Sequence, residues 1–158
     1  MIKIRKGIIK DILKIKECLI ASWVDHARHV PELLDEERMK ESDIEGYYKE
    51  AFENSKNSFV IVAEVDGKFA GFQRADIQKI PDFFKHSKIL YLDDAYVLSK
   101  FRKKGIATLL IKEAEKIAKK NKIKSLQGRV YTYNKPIQNL LTKLGYTFPY
   151  STWNKVIS

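Results

Sequence analysis

The stretch SFVIVAEVDGKFAGFQRADI, Ser58 to Ile77, limits the fold more than any other part of the chain. Apolar residues crowd both sides of Asp66-Gly67, and glycine accepts the positive φ that a two-residue hairpin turn needs. Two antiparallel strands are predicted here. KILYLDDAYVL, Lys88 to Leu98, follows as a third long strand. Three consecutive strands joined by short turns favour antiparallel pairing in the middle of the sheet.

The remaining pattern supplies the other elements. IKIRKG, Ile2 to Gly7, reads as a short first strand. Ile8, Ile12, Ile15, Leu19 and Trp23 recur at three- and four-residue spacing, a helical stripe running to about His29 ahead of Pro31. Leu33, Leu34, Met39, Ile44, Tyr47, Tyr48 and Phe52 suit one or two short helices within residues 32–57. Gly105 to Asn121 is a helix with Ile106, Leu109, Leu110, Ala114 and Ile117 on one face. SLQGRVYTY, Ser125 to Tyr133, is a strand. Pro136 to Gly145 is a short helix, with proline suited to its first turn and glycine to its end. YTFPY and TWNKVIS, Tyr146–Tyr150 and Thr152–Ser158, are read as closing strands. The expected architecture is α/β (α+β): one domain over residues 1–158, with helices on both faces of a mixed, mostly antiparallel sheet of about seven strands. The strand–helix–strand unit at 89–131 implies one parallel pair with a right-handed crossover.

Charge and cysteine content narrow the function classes. Lys and Arg total 30 against 20 Asp and Glu, a formal net charge of +10. Such a surface favours anionic partners, although a lysine-rich composition alone produces the same sum. Cys18 is the one cysteine, which excludes an intramolecular disulfide and any zinc site needing two cysteines of this chain. A reducing cytoplasm is the expected location. Asp11, Lys14 and Lys16 break the apolar runs of the N-terminal segment, so it lacks the apolar region of a signal peptide. No stretch approaches the roughly 18 apolar residues of a membrane span.

The basic turn between the third strand and the next helix carries chemistry. Arg102, Lys103 and Lys104 precede Gly105, where the helix opens. A helix N-terminus has unpaired N–H groups and partial positive charge, and glycine lets an anion approach the backbone closely. Taken alone, the turn is equally a solvated basic loop. Its context is more specific. VLSKFRKKGIA, Val97 to Ala107, resembles the coenzyme A motif of the GNAT superfamily of N-acetyltransferases, Gln/Arg-x-x-Gly-x-Gly/Ala after a long strand. Asn134, followed by a short helix ending in Gly145-Tyr146, resembles that superfamily's later motif, and the order of elements agrees along essentially the whole chain.

The resemblance implies acetyl-CoA as co-substrate and no metal. It implies that backbone N–H groups of residues 103–108 hold the pyrophosphate, with Arg102, Lys103 and Lys104 adding charge and Gly105, Ile106, Ala107 and Thr108 opening the helix. Tyr96, Val97 and Leu98 would pair with the pantetheine arm like an added strand, and Asn134 would lie beside it. Ala107 stands where glycine is commoner. YLDDAYV resembles the carboxylate-bearing strand of small-amine and diamine acetyltransferases, and Asp93 matches its substrate-facing glutamate.

N-acetylation needs a neutral amine, and an alkylamine has a pKa near ~10. A carboxylate can take the proton or attract the ammonium. Strand alternation would put Tyr91, Asp93, Ala95 and Val97 on one face, and Leu92, Asp94 and Tyr96 on the other. Asp93 is therefore the expected catalytic residue. Trp23, His26, Tyr91 and Asp94 are expected to contact the acceptor, and Phe83, Phe84 and His86 to rim its pocket. Asp25, His26 and His29 suit a helix end better than a metal site. Many superfamily members carry a tyrosine four residues before the glycine of the last motif as acid for the thiolate, and Leu141 occupies that position here. The expected activity is acetyl transfer to a primary amine of a small molecule, such as a polyamine, an aminoglycoside or an amino-acid-like amine. Acetylation of a protein lysine or N-terminus and non-catalytic CoA binding are the alternatives. The acceptor amine and a possible homodimer are the expected partners, with neither nucleic acid nor membrane.

Overall fold

The computed structural model describes residues 1–155 and 157. In chain order the elements are β1 Ile2–Lys6, α1 Ile12–His29, α2 Glu36–Glu41, α3 Ile44–Glu53, β2 Ser58–Val65, β3 Lys68–Lys79, β4 Lys88–Val97, α4 Ile106–Lys120, β5 Leu126–Gly128 and α5 Lys135–Lys143. Short 3-10 turns at Ile9–Asp11 and Ser99–Phe101 lead into α1 and out of β4. The sheet order is β1-β2-β3-β4-β5, antiparallel except for the parallel β4–β5 pair that α4 connects. The predicted hairpin forms, with Asp66 and Gly67 both at positive φ between β2 and β3.

Alternation along β2 sends side chains to two cores. Ile61 and Ala63 join Leu90 and Leu92 beneath Ile106, Leu110, Ala114 and Ala118 of α4. Val60, Val62 and Phe72 pack on the other face against Ile12, Ile15, Cys18 and Leu19 of α1 and Ile44 and Tyr48 of α3. Ile8 is 52% exposed, so the buried stripe of α1 starts at Ile12 rather than at Ile8. Arg5 on β1 holds the head of α1, donating from Nη1 and Nη2 to Asp11 at 2.8 Å each and from Nε to Glu64 at 2.7 Å.

Among the described residues the sheet has five strands, where about seven are expected. Strand β5 spans only three residues, and residues 129–133 leave the sheet. The expected closing strand Tyr146–Tyr150 is irregular backbone, and so are Thr152–Lys155 and Ile157 of the last one, whose Val156 and Ser158 lie outside the described residues. Pro149 removes a ladder donor, and Phe148 and Trp153 are 78% and 94% exposed, so their alternation meets no face to cover. No helix among the described residues is long and apolar enough to cross a membrane.

Candidate active site

The basic turn is a concave row of backbone donors. Lys103 adopts φ 60° and Gly105 φ 78°. A non-glycine residue at positive φ is uncommon, and here it curls the chain so that successive N–H groups converge. Among the described residues, the N–H groups of 103–108 have no acceptor in the chain, and the first intrachain bond of this turn runs from Leu109 N to Gly105 O at 3.1 Å. A Cβ built on Gly105 would meet nothing within 4 Å, so the space in front of this row is open. Six unpaired donors at the start of α4 fit the oxygens of a phosphate group. Arg102 is partly committed elsewhere: its Nε donates to Val97 O at 3.0 Å and its guanidinium carbon lies 5.3 Å from the Tyr96 ring centre. Lys104 Nζ sits 5.6 Å from the Phe101 ring centre.

The strand that leads into this turn borders a gap in the sheet. Strand β4 pairs with β5 only at Leu90, Leu92 and the Tyr91 between them, opposite Leu126–Gly128. Past Leu92 the β5 side of β4 has no neighbouring strand among the described residues. On the β3 side, Gly71 permits the closest approach: a Cβ there would lie 2.5 Å from Tyr96 O.

A β-bulge sits where the gap begins. Gln73 pairs with Ala95 and Ala75 with Leu92, so Arg74 alone opposes both Asp93 and Asp94. The bulge reverses the phase of β4. Leu90 N–H donates to Ser125 O, toward β5, whereas Leu98 N–H donates to Ala70 O, toward β3. Both are even positions, and an unbroken strand would point them the same way. It follows that the N–H groups of Ala95 and Val97 face the gap. Buried Gln73 fastens the bulge, donating from Nε2 to Arg74 O at 2.6 Å and Asp94 O at 3.1 Å. The simple alternation expected for β4 is thereby corrected. Leu92 and Val97 pack on the α4 side, Tyr96 on the α1 side, and both aspartates reach the tyrosines of α3.

Those aspartates help line a pocket of about 340 Å³, together with Trp23, Ser42, Asp43, Ile44 and Tyr47. Tyr47 Oη donates to Asp93 Oδ2 at 2.7 Å, and Tyr48 Oη to Asp94 Oδ2 at 3.1 Å. Asp93 is exposed, while Asp94 is partly covered. Burial and the neighbouring Asp93 charge push the Asp94 carboxyl up to about 6, against the lowering effects of the Tyr48 hydroxyl, Arg74 and the Trp23 indole. Burial and the bond to Asp93 raise the Tyr47 phenol, so it stays a donor at neutral pH. Three carboxylates and no cation line the pocket, in a chain of net charge +10. Its field selects cations.

Of the expected acceptor residues, the structure brings together Trp23, Asp93 and Asp94. Tyr91 and His26 do not line the pocket. His26 sits instead in an aromatic cluster at the end of α1, where its Nδ1 contacts Tyr133 Oη and its ring centre lies 4.5 Å from that of Tyr131. His29 stacks on Tyr133 at 4.0 Å. This cluster docks the tail of α1 onto the loop after β5, and burial lowers the His26 pKa. Phe83 and Phe84 stack on each other, 84% and 45% exposed, away from the pocket lining. Asn134 caps α5, its Oδ1 accepting from Ile137 N at 3.5 Å. Sequence reasoning did not single out Asp43, Tyr47, Tyr48 or Arg74. Tyr47 and Tyr48 lie 46 residues from Asp93 and Asp94, so no local signal in the sequence pairs them.

The fold has solved counterparts. A tetramutant of a Bacillus halodurans protein superimposes with a TM-score of 0.84 at 17% identity, over 98% of this chain and 99% of that one. The aminoglycoside acetyltransferase AAC(6')-Iy, in complex with a bisubstrate analogue joining CoA to an acetylneamine, gives 0.70 at 17%, over 100% and 99%. A ribosomal-protein-alanine N-acetyltransferase from Brucella melitensis gives 0.68 at 18%, over 99% and 100%. At such identities the likeness is one of fold. No curated protein sequence matches the chain significantly. The family model for the acetyltransferase (GNAT) family matches residues 22–146. The chain belongs to the GNAT acetyltransferase family.

Proposed function

We propose that this protein transfers an acetyl group from acetyl-CoA to a primary amine of a small molecule carrying more than one ammonium group. The observation that carries this reading is the meeting of two opposed sites along β4. One is a row of unpaired N–H groups at residues 103–108, and the other is a pocket lined by Asp43, Asp93 and Asp94. The first suits a pyrophosphate and the second a polycation. Bound acetyl-CoA supplies an activated acyl group on a thiol that leaves readily.

The chain's own residues do the rest. Lys103 to Thr108 hold the phosphates, with Lys103 and Lys104 adding charge, and Tyr96, Val97 and Leu98 guide the extended arm along the open edge of β4. Asn134, at the head of α5, is assigned a place beside the arm on the family resemblance alone. The N–H groups of Ala95 and Val97, facing the gap, are the donors for an oxygen that gains negative charge. Asp93, at the mouth, draws in the ammonium. Asp94, deeper, takes the proton, because a carboxylate whose pKa lies near 6 is a better base at neutral pH than an ordinary one. Fixing the amine beside the acyl carbon supplies much of the acceleration. Leu141 stands where a tyrosine acid is expected from the family resemblance, and a thiol of pKa near ~8.5 can depart without one.

A small acceptor is favoured over a protein lysine or N-terminus because the connection after α2 and the first turn of α3 wall the pocket through Ser42, Asp43, Ile44 and Tyr47. The test is calorimetric titration of acetyl-CoA together with thiol release in the presence of a linear triamine. Binding followed by turnover supports the proposal. Binding without turnover of any amine would instead make this a CoA-binding protein.

A further inference from the structure

The acceptor pocket rests on a residue that does not line it. Arg74 is the bulge residue opposite Asp93 and Asp94, and it is 7% exposed. Its Nε donates to Asp76 Oδ2 at 2.9 Å and its Nη2 to Asp76 Oδ1 at 3.3 Å. Asp76 is itself held by the Ser58 hydroxyl. Nη1 is buried with no hydrogen-bond partner among the described residues. What faces the guanidinium instead is aromatic: the Tyr47 ring centre lies 3.8 Å from Cζ and the Tyr48 ring centre 5.4 Å away. The face of Tyr47 gives the desolvated guanidinium a cation–π contact in place of the unmade bond.

We propose that Arg74 is the positioning residue of the acceptor site, setting Tyr47 and Tyr48 so that each hydroxyl aims one of the paired carboxylates. The chain of contact is continuous. Asp76 fixes the plane of Arg74, Arg74 fixes the two rings, and the rings fix Asp93 and Asp94. The guanidinium charge also acts on Asp94 directly, as do Asp93 on its own strand, Tyr48 on α3 and Trp23 on α1, while Asp43 and Tyr47 line the same pocket. Lysine cannot reproduce this arrangement, because it lacks both the plane that stacks and the fork that Asp76 holds. The role presupposes the acetyltransferase reading, but its physical content does not depend on turnover.

The experiment uses the whole chain with carbon-13-labelled aspartate and follows the Asp93 and Asp94 carboxyl signals by NMR from pH 4 to 8. It compares wild type, Arg74→Lys, Arg74→Gln and Tyr48→Phe. In Arg74→Gln and in Tyr48→Phe the Asp94 midpoint should move up by about one unit, since each removes a group that favours the ionised form. In Arg74→Lys both signals should broaden or move while the charge is kept. Kinetically, Arg74→Lys should raise KM for a linear triamine about tenfold with acetyl-CoA affinity unchanged. An Asp94 midpoint in folded Arg74→Lys and Tyr48→Phe equal to that of wild type would overturn the proposal. So would a loss of acetyl-CoA affinity matching the loss for the amine. If the midpoints move as expected and no amine is ever acetylated, the positioning role stands and the enzymatic reading falls.

Discussion

The proposed phosphate site and the proposed acceptor site are built from different materials. The first is backbone: six consecutive N–H groups, shaped by Lys103 and Gly105 at positive φ and contained within one short stretch of chain. The second is side chain: carboxylates from β4 and the head of α3, a tryptophan from α1, and tyrosines against Arg74 of β3. Backbone donors keep their charge and direction at every pH, so the first site is rigid and general. Side-chain carboxylates titrate and depend on neighbours far away in sequence, so the second is tunable. Fold likeness to both an aminoglycoside acetyltransferase and a ribosomal-protein-alanine acetyltransferase does not choose the acceptor.

The contrast can be broken at either end. The largest effect is expected from Gly105→Glu. A side chain at φ 78° is strained, and its carboxylate would project into the open space before the donor row. Acetyl-CoA affinity should fall more than about 100-fold, close to 3 kcal/mol, in calorimetry, with the circular dichroism spectrum unchanged. Unchanged affinity would remove this turn from the cofactor site.

Asp94→Asn comes next. Turnover at pH 7 should drop about 100- to 1000-fold, and the acid limb of the kcat/KM profile near pH 6 should disappear. Stability should move the opposite way. The folded-state pKa lies above the unfolded value of 3.8, so the contribution of Asp94 is fully present below 3.8 and is lost as pH rises through about 6. Ionised Asp94 therefore costs stability at neutral pH, and asparagine should raise the melting temperature at pH 7.5 by an amount corresponding to roughly 2 kcal/mol. A variant that is inactive and also less stable would contradict this account of the residue.

Asp93→Asn should act on capture rather than chemistry. Its carboxylate is exposed, so KM for a polycationic amine should rise about tenfold, with kcat changed far less. The difference from wild type should shrink at high salt. A fall in kcat as large as that of Asp94→Asn would return the base role to Asp93. The smallest effect is expected from Leu141→Tyr. If the thiolate leaves unassisted, adding the hydroxyl should change kcat by no more than about threefold, under 1 kcal/mol.

The same contrast explains what could be read in the sequence. The hairpin at Asp66-Gly67 and the helix that Gly105 opens are local patterns, and both form where their residues predict, although α4 buries Ile111 and Ala118 rather than Leu109, which is 38% exposed, and Ile117, which is only partly covered. The β4 bulge is not local. It exists because Arg74 on β3 opposes two residues of β4 and Gln73 bridges the carbonyls, so alternation counted along β4 alone put Asp93 and Asp94 on opposite faces. Tyr47 and Tyr48 read as part of an apolar stripe, and nothing in a one-dimensional pattern links them to aspartates 46 residues away. The extra strands failed for a related reason: Phe148 and Trp153 alternate like strand residues but have no sheet face to pack on.

The central claim is that one cleft joins acetyl-CoA to an amine with more than one positive charge. The most direct measurement is thiol release with mass-resolved product for a linear triamine, an aminoglycoside, a monoamine, an amino acid and a lysine peptide at equal concentration. The account predicts mono-acetylated product from the polycations, with kcat/KM falling as salt rises, and little from the monoamine or the amino acid. Acetylation of the peptide alone, or of the amino acid in preference to the polycations, would contradict it.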